Sequence, residues 1–180
     1  PSYYLREQIL KGGLIGVVGF LIFSRISLEF LKKYSFLFLI FSIGLLILVF
    51  FPELNFSHSD STRWLSLGPL FFQPGEILKL AFLIYLASWL QARQKDIGGF
   101  SNGLLPFLII IGIIGLLLLA QPNMGTFSVI AISAVAIYFV AGGKLSHLGV
   151  TVLIGAVVLS AFVFFKPYAA ERFKVFFNPQ

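Results

Sequence analysis

The sequence predicts an all-α polytopic membrane protein, and three observations carry that prediction. Hydrophobic residues fill 58% of the 180 positions and charged residues only 11%, against roughly 25% charged in soluble domains. Mean hydropathy is +0.98. Between Asp96 and Lys144 run 47 consecutive uncharged residues, more than twice the roughly 20 that one helix needs to cross a bilayer. The alternating segments of about ten residues that a membrane β-barrel requires do not occur.

Charge, proline and glycine divide the chain into six apolar spans, at 9–24, 35–52, 72–90, 104–120, 124–141 and 148–165. Their apolar character runs nearly all round, as lipid-facing helices require. The longest connection is 53–71. Neither a repeat nor a linker divides the sequence, so residues 1–180 read as a single transmembrane domain. Pro1 opens the chain without a signal-peptide pattern, which reads as a piece of a longer protein.

Orientation follows from the short connections. Arg25, Lys32, Lys33, Arg93, Lys95 and Lys144 fall on one side, whereas the connections 53–71 and 121–123 on the other hold only Arg63. The positive-inside rule makes the first side cytoplasmic. Cysteine is absent and the two histidines, His58 and His147, are far apart in sequence, which excludes disulfides and thiolate metal sites and argues against zinc, so that any metal would be held by oxygen ligands. The basic residues are scattered, so the net charge of +6 points to anionic lipid and not to nucleic acid.

Three motifs carry polar chemistry. In "QPGEILK", Pro74 suits the first helical position and Glu76 the first turn, where a carboxylate caps the helix or partners Lys79. Lys79 lies one turn inside the helix, near the end that repels cations; it snorkels to the surface or faces a polar cavity. In "TRW", Trp64 reads as an interfacial belt residue, and Arg63 as a ligand for a lipid phosphate or for the phosphate of a lipid-linked substrate. "QPNMGT" reads first as a tight turn, with Asn123 able to cap the following helix. No chemistry is assigned to "AGGKLSH".

Taken in order, "SRISLEFLKKYS", "STRWLSLGPLFFQPGEILKLAFLIYLASWL", "LLAQPNMGT", "FVAGGKLSH" and "ERFKVFFNP" resemble the shape, elongation, division and sporulation (SEDS) family. These are the FtsW-, RodA- and SpoVE-like membrane glycosyltransferases that polymerise lipid II into peptidoglycan. "LGPLFFQP" and "GFSNGLLPFLI" look closer to the division-type FtsW members. The resemblance implies about ten helices in the full-length protein, six of them here, in the bacterial cytoplasmic membrane. It carries over Arg63, Trp64, Gln73 and Lys79 as substrate-binding residues and Glu76 with Lys79 as cavity wall. Pro74, Gln121, Pro122, Asn123, Gly125 and Thr126 complete the motifs.

Three departures stand out: "DSTRW" where family members usually have GARRW, "QPGE" for QPSE and "QPN" for QPD. The resemblance also implies a catalytic aspartate beyond Gln180, so the 180 residues alone are expected to be inactive. A divalent cation, Mg2+ or Mn2+, is the one cofactor the implied mechanism leaves room for. Implied partners are lipid II, the polyprenyl pyrophosphate-linked glycan, a class B penicillin-binding transpeptidase and other division proteins. Two other classes use the same features: a flippase for lipid-linked precursors and a non-catalytic division scaffold.

Overall fold

The structure, a computed structural model, describes residues 13–53, 55–58, 61–67 and 70–165. In chain order these form α1 (Leu14–Phe23), α2 (Leu28–Leu48), β1 (Asn55–His58), β2 (Ser61–Leu67), β3 (Leu70–Phe72), α3 (Pro74–Ala92), α4 (Leu105–Ala120), α5 (Met124–Val140) and α6 (Leu145–Phe165), with a π-helical turn, Phe100–Leu104, leading into α4. Among the described residues, four helical segments, 28–48, 74–92, 100–120 and 145–162, are long and apolar enough to cross a membrane, and Met124–Val140 is a shorter apolar helix. The protein is a multi-pass membrane protein.

The second helix begins seven residues before its expected start at 35. Ser27 caps it by accepting from the Phe30 amide at 3.2 Å, and Glu29 complements the dipole in the first turn. Lys32 and Lys33 therefore lie on the helix and not in a loop. Both are exposed, and the Lys33 ammonium stands 5.3 Å from the Tyr34 ring centre. Their long stems let a charge ride on an apolar helix near its end. In the same way α6 starts at Leu145, ahead of the expected 148. The expected beginning of the first span at 9 and the "ERFKVFFNP" stretch lie outside the described residues.

The 53–71 connection, expected as a loop, carries an antiparallel sheet in the order β1-β2-β3. Phe56 pairs with Trp64, and Leu65 with Phe72. Because β3 ends at Phe72 and α3 begins at Pro74, the sheet is fastened to the head of α3 and β2 is held over that end of the bundle.

Four helices, α2 to α5, each give the core one stripe. Leu78, Phe82, Leu86 and Leu90 recur every fourth residue along α3, and Ile130, Ala134 and Tyr138 do so along α5. Phe107, Ile111, Ile114 and Leu118 line α4, and Leu39 and Leu46 line α2. Between the last two, Ser42 is buried but bonds back to the Leu39 carbonyl at 2.8 Å, so it costs the core no unmet donor.

At the end opposite the sheet, three segments meet on one phenol. Tyr138 donates to the Ile97 carbonyl at 3.1 Å and lies 2.8 Å from His147 Nδ1. The hydroxyl has a single proton and the carbonyl can only accept, so His147 is the donor from Nδ1. The chain reaches this arrangement through Gly142, at φ +101°, and Gly143, where a Cβ would collide with the Tyr138 ring. Gly143→Ala is therefore expected to lower stability by about 1–3 kcal/mol. Gly149→Ala, on α6 with no neighbour near its Cβ, should be neutral or gain up to about 1 kcal/mol from helix propensity. Thermal unfolding of the two purified variants in detergent checks the ranking.

Candidate functional site

The candidate site lies at the sheet end, where the heads of α3 and α5 meet. Gln73 is the N-cap of α3 in an extended conformation; its carbonyl accepts from the Glu76 amide at 3.0 Å, and its side chain makes no capping bond. Pro74 follows at the first helical position, where its missing N–H costs nothing. The Glu76 carboxylate is left for Lys79, one turn on, and Lys79 Nζ stands 2.8 Å from Glu76 Oε2. Lys79 is 25% exposed and Glu76 59%. At that exposure the pair adds only about 0.2–1 kcal/mol to stability. An ammonium held at the positive end of a helix dipole is thus retained with little structural return.

β2 sends alternate residues to opposite faces. Leu65 is fully buried, and Arg63 on the same face is half-buried, with Nη2 donating to the Pro122 carbonyl at 2.6 Å. Trp64 points the other way and is 41% exposed. The structure therefore brings Arg63 into the corner and turns Trp64 away from it.

The "QPNMGT" turn is the most heavily tied part of the site. Gln121, 1% exposed, donates from Nε2 to the Leu46 carbonyl at 2.8 Å, fastening the α4–α5 turn to the last turns of α2. The Asn123 amide donates to Leu118 at 3.0 Å, and its Oδ1 caps α5 by accepting from the Thr126 amide at 3.4 Å. Thr126 is buried and its methyl faces Gly75, whereas Gly125 has open space where a Cβ would be. The sequence signalled a turn and a cap here but gave no sign of the Leu46 contact, since a backbone acceptor leaves no trace in residue type. The bond between Tyr138 and His147 escaped for a related reason: Tyr138 reads as one more aromatic in an apolar helix.

A divalent cation needs several converging oxygens, with six common for Mg2+. Among the described residues no group of three or more His, Asp or Glu converges. Glu76 is the one carboxylate among the candidate residues and is engaged by Lys79. These residues do not fit a resident metal ion.

The sequence model of the cell cycle protein family (FtsW, RodA, SpoVE) matches residues 3–180. The chain belongs to this family. The probable peptidoglycan glycosyltransferase FtsW of Nitrosococcus halophilus is 33% identical over 181 residues, covering 99% of this chain and 46% of that protein. Stage V sporulation protein E of Bacillus subtilis is 31% identical over 180 residues, covering 98% of this chain and 48% of that one. The chain thus spans about half the length of the curated relatives it matches. Among solved structures, a chain from a peptidoglycan synthase complex that coordinates polymerization and crosslinking superposes with a TM-score of 0.75 at 29% identity, over 99% of this chain and 52% of the other. Thermus thermophilus RodA gives 0.65 at 28% identity, over 88% and 50%.

Of the contacts described, the Gln121 bond is expected to matter most for folding of the family's helical frame. Gln121→Leu should cost about 1–3 kcal/mol, because it leaves the buried Leu46 carbonyl short of a donor. Chemical or thermal unfolding of the full-length protein carrying this segment measures it.

Proposed function

We propose that the protein carrying this segment is a peptidoglycan glycosyltransferase of the bacterial cytoplasmic membrane, polymerising lipid II for cell division. Membership of the family supports this reading, as do relatives named probable peptidoglycan glycosyltransferase FtsW, one of them 33% identical. The observation that carries it is the pair of cations at the sheet end. Lys79 is oriented by Glu76 at the head of α3, and Arg63 is drawn into the same end of the bundle by Pro122.

In this reading the 4-hydroxyl of an incoming lipid II sugar attacks the anomeric carbon of the growing glycan. The bond from that carbon to the polyprenyl pyrophosphate breaks, and the hydroxyl proton passes to a base in the part of the protein beyond this segment. Lys79 and Arg63 take up the charge that develops on the departing pyrophosphate, the task for which fixed cations in a sparsely hydrated site are most effective. Arg63 offers a planar fork for phosphate oxygens, while Lys79 offers a compact charge whose direction Glu76 sets. A crosslinking partner of the class B penicillin-binding type accords with the synthase complex to which the fold is similar.

Lys79→Ala is expected to lower lipid II turnover on the order of 100-fold, the usual cost of losing one charge-stabilising donor. Glu76→Ala should lower it less, and Lys79→Arg should restore little. Because the ion pair is worth at most about 1 kcal/mol, all three should melt close to wild type, which separates chemistry from folding. Turnover by purified full-length variants in detergent, where no bilayer sides exist to flip between, measures this. Wild-type turnover by Lys79→Ala would remove the lysine from the mechanism.

The reading also requires the sheet end to face outward. The chain has no cysteine, so a cysteine at exposed Glu53 and another at exposed Ser146 report on opposite ends of the bundle. An impermeant thiol reagent applied to intact cells should label position 53 and spare 146. The opposite pattern would invert the topology and with it the proposal.

A further inference from the structure

We infer that Asn123 is a positioning residue, which sets Arg63 relative to the Glu76–Lys79 pair through the Pro122–Asn123 peptide. The inference rests on the proposed reaction only for the task given to Arg63. It begins from one peptide unit held at both ends: the carbonyl accepts from Arg63 Nη2 at 2.6 Å, and the N–H donates to Leu118 at 3.0 Å. A peptide unit is planar and stiff, so any rotation that frees one bond disturbs the other.

The Asn123 side chain resists that rotation from two directions. Its Oδ1 caps α5. Its Nδ2 is turned to the first turn of α3, 3.4 Å from where a Cβ on Gly75 would stand, and that same point is 3.4 Å from the Thr126 methyl. Asn123 is 3% exposed, and Nδ2 finds no hydrogen-bond partner among the described residues. A capping oxygen alone is supplied as well by serine. What the amide adds is a second limb that faces the residue before Glu76 across the space a single Cβ would fill. The path thus runs through hydrogen bonds from Arg63 to the Pro122–Asn123 peptide, and the Asn123 amide then faces Gly75 and the turn that carries Glu76 and Lys79.

Asn123→Ser keeps the cap and deletes the limb that reaches Gly75. In the full-length protein, we expect it to raise the KM for lipid II about 3- to 10-fold, with kcat within about twofold. The rise should vanish when Arg63 is already alanine. The melting temperatures of wild type, Arg63→Ala, Asn123→Ser and the double variant complete the cycle, and the double variant should lose less than the two single losses together. Additive melting losses overturn the inference, whatever KM does. So does an unchanged KM in Asn123→Ser, which would leave a packing contact only. If Arg63→Ala turns over lipid II like wild type, the pyrophosphate task assigned to Arg63 falls, and the melting cycle alone decides whether Asn123 positions it.

Discussion

One buried hydrogen bond, from Gln121 Nε2 to the Leu46 carbonyl, governs the geometry of the sheet end. Helices in a bilayer gain little from hydrophobic exclusion against one another, since lipid tails are as apolar as leucine; their relative depth is set by packing shape and by the few polar bonds between them. Gln121 supplies such a bond between α2 and the α4–α5 turn. The turn in turn offers a carbonyl to Arg63 and a side chain to α3, and through these the sheet and the ion pair take their places. A single donor, placed three residues before the start of α5, thereby orders four helices and a strand.

The helical frame was legible in the sequence because the spans are long and apolar, and lipid demands internally satisfied backbone. Helix ends were legible only where punctuation was chemical. The turn at Gln121–Asn123 and the head of α3 at Pro74 were found to within a residue or two, since proline and a capping asparagine mark them. The head of α2 was missed because Lys32 and Lys33 look like loop residues, while Ser27, a modest cap, does not announce a helix. The three strands were missed because they are short and interrupted by polar residues, and because their pairing depends on being fixed at both ends by α2 and α3.

Within the candidate site, the proximity of Glu76 and Lys79 was legible because spacing on a helix is itself geometry. The separation of Arg63 from Trp64 was not. Two adjacent residues share a cavity in a turn but oppose each other in a strand, and only the strand assignment decides between them. Gly75 is a similar case: as a letter it is the loss of a hydroxyl, whereas in the fold it is the opening that the Asn123 amide faces.

The length of α5 has a consequence for the surrounding lipid. Seventeen residues rise only about 25 Å, less than the roughly 30 Å of hydrocarbon in an ordinary bilayer. Its two ends cannot both reach headgroup level unless the membrane thins around it. Both ends are equipped for hydrocarbon: side-chain donors meet the Leu46 and Pro122 carbonyls at one, and the Ile97 carbonyl at the other. The mismatch is about three residues' rise, and with the polar groups around its ends met by protein the helix can stop short of the headgroups without exposing unpaired backbone to lipid.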